Sequence, residues 1–242
     1  MRSLLFMGAI GILVLGLAVG VSAEPYAAGY VGGALPFDQD TFSENPLDIT
    51  ITDFKPEDSV VFGAKGGYWF DNFPYIGIEG NVQAWFPDID DQNVVVTKLV
   101  GSGSESASNK RFAAEVDAIS MAVVLLGRYP IEHSIGTFVP YAGGGIGWTH
   151  VDFSRAQFDS LDVRADDDLF PHVQVQGGLK YFFPNIPNLG LFVEYMYQKK
   201  HFDTTIGLDG SDPNDLVTIE VDFENQFIQG GVEWRFWDPF AQ

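Results

Sequence analysis

The sequence predicts an all-β fold: an eight-stranded antiparallel up-and-down transmembrane β-barrel, with short turns at one end and long connections at the other. Three observations predict it. Of eight candidate strands, five alternate with period two between an apolar and a polar face, and a sixth does so less cleanly. The connections between them alternate short and long. Two charge pairs also recur at one spacing: Lys65 and Glu79 are fourteen residues apart across the turn at 71–74, and Lys180 and Glu194 are fourteen apart across 184–188. Each charge sits mid-strand among alternating apolar residues. A salt bridge so placed suits a hairpin with one face toward a closed polar interior and the other toward lipid.

Residues 1–23 read as a secretory leader. Arg2 supplies the positive start, residues 4–19 are an apolar core, and Val21-Ser22-Ala23 is a small-residue cleavage site before Glu24. The apolar run is shorter than the roughly 20 residues of a spanning helix. The expected mature chain, residues 24–242, is then one outer-membrane β-barrel.

Its strands are expected near 26–35, 59–70, 75–86, 114–129, 138–150, 170–183, 190–201 and 226–237. A tilted membrane strand needs roughly 9–11 residues in the hydrocarbon, and closed barrels of this kind have even strand counts. Strand two sets Val60, Phe62, Ala64, Tyr68 and Phe70 on one face and Lys65 on the other. Strand three sets Ile76, Ile78, Val82 and Ala84 against Glu79, Asn81 and Gln83; strand four sets Ile119, Met121, Val123 and Leu125 against Ser120, Ala122 and Arg128. Strand six opposes Val173, Val175, Leu179 and Tyr181 to His172, Gln174, Gln176 and Lys180, and strand seven opposes Leu191, Val193, Tyr195 and Tyr197 to Glu194 and Gln198. Strand eight opposes Ile228, Val232, Trp234 and Phe236 to Gln229, Glu233 and Arg235. Strands one and five are too glycine-rich to phase. A soluble sandwich would carry many more charges on its polar faces, whereas small residues and single charges suit a narrow lumen that side chains fill.

The segments 71–74, 130–137 and 184–189 are short, while 36–58, 87–113, 151–169 and 202–225 are long, polar and acidic. Within the second long segment, 101–108 has linker-like Gly/Ser composition and reads as a mobile loop tip. The even-numbered strands end on aromatic residues at the short-turn end. Tyr68, Phe70, Tyr129, Tyr181, Phe183, Trp234, Phe236 and Trp237 form the expected interfacial girdle there.

The formal net charge of −20 argues against nucleic acid, which needs a basic face. There is no cysteine, hence no disulfide and no thiolate site. Export without cysteine fits the outer membrane of a Gram-negative cell, where hydrogen bonds around a closed barrel replace covalent staples.

With these features, the repeated Gly-Gly-aromatic strand ends and the segment Arg128-Tyr129-Pro130 … Pro140-Tyr141-Ala142-Gly143-Gly144-Gly145-Ile146-Gly147, the chain resembles the OmpA-type outer-membrane β-barrel domain family. The resemblance covers nearly the whole mature chain. It implies an eight-stranded outer-membrane barrel with a plugged, hydrogen-bonded interior, here with no periplasmic domain after it. Many family members end on the aromatic residue of the last strand. This chain runs on through Asp238-Pro239-Phe240-Ala241-Gln242, which leaves Trp237 and Phe240 as alternatives for the residue read by the barrel assembly machinery.

The candidate site is the inward charge cluster Lys65, Glu79, Arg128, Lys180, Glu194, Glu233 and Arg235, which a narrow lumen forces to pair. A static polar plug and a partner-swapping gate are the two readings. The clusters Asp166, Asp167, Asp168 and Asp209, Asp212 are weak candidates for a divalent cation, and none has EF-hand spacing. The histidines are His133, His150, His172 and His201; a barrel lipid A-modifying enzyme needs a serine beside its histidine, and none stands near His201 in sequence, Ser154 and Ser160 lying in a different connection. No cofactor is expected. The expected partners are outer-membrane lipid, lipopolysaccharide and the assembly machinery, with the barrel a monomer. The expected role is structural or surface-interacting, the alternative a narrow pore or transporter for small solutes or apolar molecules.

Overall fold

The computed structural model describes residues 23–36, 39–41, 49–54, 58–87, 89–100, 104–158, 161–162, 168–207 and 216–236, with side chains described within 24–35, 58–87, 117–152, 169–200 and 224–236. Eight long strands form the wall: β1 (Ala23–Pro36), β2 (Ser59–Phe70), β3 (Phe73–Trp85), β4 (Ser104–Arg128), β5 (Gly136–Phe158), β6 (Asp168–Phe183), β7 (Ile186–Gly207) and β8 (Leu216–Arg235). Each pairs antiparallel with its successor. β8 returns to β1, from Tyr26 opposite Arg235 to Pro36 opposite Asn225, and closes the barrel. Closure leaves no unpaired edge, the condition a sheet must meet to cross hydrocarbon.

Inward and outward residues alternate along every wall strand. In β2, Val61, Lys65 and Trp69 are buried, while Val60 and Phe62 are exposed. β6 buries His172, Gln174, Gln176 and Lys180 and exposes Val173, Val175 and Leu179; β7 buries Glu194 and Gln198 and exposes Leu191, Val193 and Tyr195. The exposed face is therefore an apolar belt and the buried face a polar interior, inverting a soluble protein. The glycine-rich strands take their phase from their tyrosines. Tyr26, Ala28 and Tyr30 of β1 and Val139, Tyr141 and Thr149 of β5 point inward, with Val31, Ile146 and Trp148 outward.

Two expectations are corrected. The long connections are largely strand. β4 begins at Ser104 and pairs through Val100↔Ser104 and Ile89↔Ala114 with the added strand Ile89–Val100, so residues 104–108 are ladder and not a mobile tip. β7 and β8 likewise continue as a hairpin to Gly207↔Leu216, well past the membrane requirement. Alternation weakens outside the lipid, because neither face there must be apolar. The second correction concerns the aromatics, which are not confined to the short-turn end. Outward Phe62 and Phe86 (centroids 5.9 Å apart) and Trp148 lie toward the other end.

At the short-turn end, Tyr68 packs edge-on to Phe70 at 5.1 Å, Tyr181 on Phe183 at 5.1 Å, and Tyr75 stacks on Tyr129 at 6.3 Å. Trp234 and Phe236 are exposed there, and Trp237 lies outside the described residues. Gly136 opens β5 at φ 141°, a conformation that favours glycine at this turn.

Glycines make room for the inward rings. A Cβ on Gly63 would stand 2.5 Å from the Tyr30 ring and 2.5 Å from the Val82 carbonyl. Overpacking of this kind typically costs 1–3 kcal/mol. Gly63→Val is therefore expected to destabilise the barrel by about 1–3 kcal/mol in urea unfolding in micelles. Unchanged stability would mean that Tyr30 does not lie over this glycine.

Candidate functional site

The lumen is built in layers. Nearest the short turns, Arg128 of β4 donates through Nη2 to Glu24 Oε2 at 2.6 Å and through Nε to the Pro74 carbonyl at 2.8 Å. Arg235 of β8 stands 3.0 Å from Glu24 Oε1 and 3.7 Å from Glu233 Oε1. Each guanidinium lies over a ring, Arg128 4.3 Å from the Trp69 centroid and Arg235 3.3 Å from that of Phe182. Planar, weakly hydrated guanidinium suits such stacked, dry positions.

Above lies the central network. Glu194 of β7 accepts from Lys65 Nζ at 2.7 Å, Tyr141 Oη at 2.7 Å, Gln229 Nε2 at 2.6 Å and Gln176 Nε2 at 3.2 Å. Glu79 accepts from Tyr26 Oη at 2.7 Å and Gln176 Nε2 at 2.8 Å, and lies 3.7 Å from Lys65 Nζ. Lys180 donates to Glu233 at 2.6 Å. The side chains of Lys65, Glu79 and Glu194 have no solvent exposure. The ammonium groups also lie on ring faces, Lys65 4.3 Å from Phe192 and Lys180 4.5 Å from Tyr26.

The pairing differs in one respect from the hairpin expectation. Lys180 does not close on Glu194 within its own hairpin but takes Glu233 of β8, while Glu194 takes Lys65 from β2. In the β6–β7 ladder Gly178, not Lys180, faces Glu194. A side chain entering a narrow closed lumen is as near to groups across the barrel as to its diagonal neighbour, and packing chooses between them.

Above this network, Gln198 donates to Gln174 at 3.2 Å and to Ser120 at 3.4 Å. Higher still are Thr149 with His172 (3.1 Å) and Lys200 over Trp85 (4.3 Å). The residues not singled out in the sequence are thus Glu24, Tyr26, Tyr30, Tyr141 and Lys200. Lys200 shares the parity of Glu194 and Gln198, a signal present in the sequence. Glu24 adjoins the leader, where alternation has nothing to its left to be measured against.

Of the histidines, His133 is exposed in a short turn with Ser134 Oγ 3.3 Å from Nδ1. Asp166, Asp167, Asp209, Asp212 and Phe240 lie outside the described residues, as do the side chains of Asp168 and His201. Among the described residues no group of three acidic or histidine side chains could hold a metal.

A closed eight-stranded barrel with an apolar exterior and an internally paired polar lumen is a membrane-spanning architecture. The chain belongs to the outer membrane protein beta-barrel domain family, whose model matches residues 10–236. The family places it in the outer membrane. The chain is similar in fold to the outer membrane protein OprG from Pseudomonas aeruginosa, with TM-score 0.57 and 11% identity, covering 90% of this chain and 98% of that one. Neisserial surface protein A gives 0.47 at 12% identity, covering 88% and 97%. AlkL, solved in lipid bilayers, gives 0.43 at 15% identity, covering 92% and 95%. No curated protein matches the chain.

Removing one partner of a buried pair strands the other charge, typically at 3–5 kcal/mol, whereas neutralising both is far milder. Lys180→Met is therefore expected to destabilise the barrel by about 3–5 kcal/mol in urea titrations, and Lys180→Met/Glu233→Gln to regain most of that loss. A double variant no more stable than the single one would mean that the two side chains are not energetically coupled.

Proposed function

We propose that the protein is a sealed integral outer-membrane barrel with a structural or surface-interaction role and no catalytic step, processed after Ala23. What carries this reading is the Glu194 hub: two cations and two anions (Lys65, Lys180, Glu79 and Glu233) meet around it with three tyrosines and two glutamines in a lumen cross-section whose residues are at most 6% exposed. An ion entering would have to break donor–carboxylate contacts already made across the lumen. On this reading the barrel is a monomer. Lipid and lipopolysaccharide meet its apolar belt, the assembly machinery inserts it, and contacts with the outside are made by the strand extensions beyond the membrane.

The test is single-channel recording in planar bilayers, with folding checked by heat-modifiable gel mobility. The wild-type chain is expected to be silent. Discrete steps that grow in Lys180→Ala would overturn the sealed reading and make the central ion pairs a gate for small solutes.

A further inference from the structure

Seven of the eight wall seams join strands that follow one another in the chain. The eighth joins β1 to β8 and needs the two ends of the barrel's chain to meet. Loop-closure entropy makes it the last seam to form and, by reversal, the first to part. Its side chains interlock little. Gly29 and Gly33 of β1 have nothing within 4 Å of a Cβ built on them, and Gly230 and Gly231 of β8 stand opposite Val31 and Tyr30.

At the short-turn end this seam carries a buried tie. Glu24 of β1 meets Arg235 of β8 at 3.0 Å across the seam and Arg128 of β4 at 2.6 Å across the lumen. All three residues are at most 7% exposed. Both guanidinium groups are placed by other strands. Arg128 donates to the Pro74 carbonyl of β3 at 2.8 Å and lies over Trp69 of β2. Arg235 lies over Phe182 of β6, and its carbonyl accepts from Asn188 Nδ2 of β7 at 2.8 Å. Strands β2 to β8 thus hold a two-arginine receptor, and β1 brings the carboxylate. The backbone closes beside it, where the Phe236 N–H donates to the Pro25 carbonyl at 3.0 Å. Without Glu24, Arg128 loses this carboxylate and Arg235 is left with Glu233 at 3.7 Å.

We propose that Glu24, Arg128 and Arg235 form a latch that holds the chain-end seam shut, so that the barrel wall parts between β1 and β8 when the carboxylate is lost. The Glu194 hub seals the lumen along its axis, whereas the latch decides whether the wall stays closed. This goes beyond the sealed-barrel reading and does not depend on it. If the chain is processed after Ala23, Glu24 is also the first residue of the mature protein. A cut one residue further on would then remove the latch.

The chain has no cysteine, so cross-links can be placed at chosen seams. Gly29→Cys/Val232→Cys sets two cysteines opposite each other on the β1–β8 seam, and Val175→Cys/Tyr197→Cys does so on the β6–β7 seam as a control. Opposed residues of an antiparallel ladder lie within disulfide reach. The readout is the rate at which the barrel in micelles loses its folded, heat-modifiable gel band in urea. Glu24→Gln is expected to raise that rate about tenfold or more, both in the cysteine-free chain and with the β6–β7 disulfide formed. With the β1–β8 disulfide formed, the increase should fall to about twofold or less and return on reduction. Glu24→Asp keeps the charge and shortens its reach; it should show the same dependence on the β1–β8 cross-link if Glu24→Gln does not fold. An unchanged rate in the cysteine-free chain would overturn the latch. Equal acceleration in both cross-linked backgrounds would make Glu24 a general stabiliser, which also overturns it.

Discussion

Glu194 accepts hydrogen bonds from β2, β5, β6 and β8 while standing on β7, so one carboxylate ties together five of the eight wall strands. Such a hub is possible only because the sheet is closed. In an open sheet, the polar face would be solvated and each charge would find water. In a closed eight-stranded wall the lumen is about as wide as the side chains that fill it, and water is displaced. Every inward charge then has to be answered by another side chain, and that demand organises the interior.

The same demand explains the neighbours of the charges. Tyr26 and Tyr141 each give a hydroxyl to a carboxylate and a ring face to an ammonium, meeting both signs with one side chain. Glycine is the counterpart of these rings. Gly67 lies beneath the Tyr26 hydroxyl and Gly178 beneath that of Tyr141, where a Cβ would approach within 2.8 Å in each case. At these two positions glycine is therefore a packing requirement of the tyrosines. Glu24 acts similarly at the short-turn end, where one carboxylate answers two arginines from β4 and β8. It does so from the residue directly after the expected leader.

Outside the lipid the constraint relaxes. The wall continues in the backbone-paired hairpins of β4 with Ile89–Val100 and of β7 with β8, where neither face must be apolar. These extensions bring the barrel above the membrane as sheet, a stiffer platform than the long acidic loops suggested by composition.

The strand count, the antiparallel closure, the phase of six strands and the identity of seven inward charges were all legible in the sequence. Each follows from a local rule, the period-two contrast imposed by lipid on one side and a polar lumen on the other. Strands β1 and β5 were not legible, since glycine carries no side chain to mark a face, and only the placed tyrosines reveal it. The exchange of partners that puts Lys180 on Glu233 and Lys65 on Glu194 was likewise decided in three dimensions. Spacing along a hairpin ranks neighbours within one ladder, whereas a closed lumen makes neighbours of residues 129 positions apart.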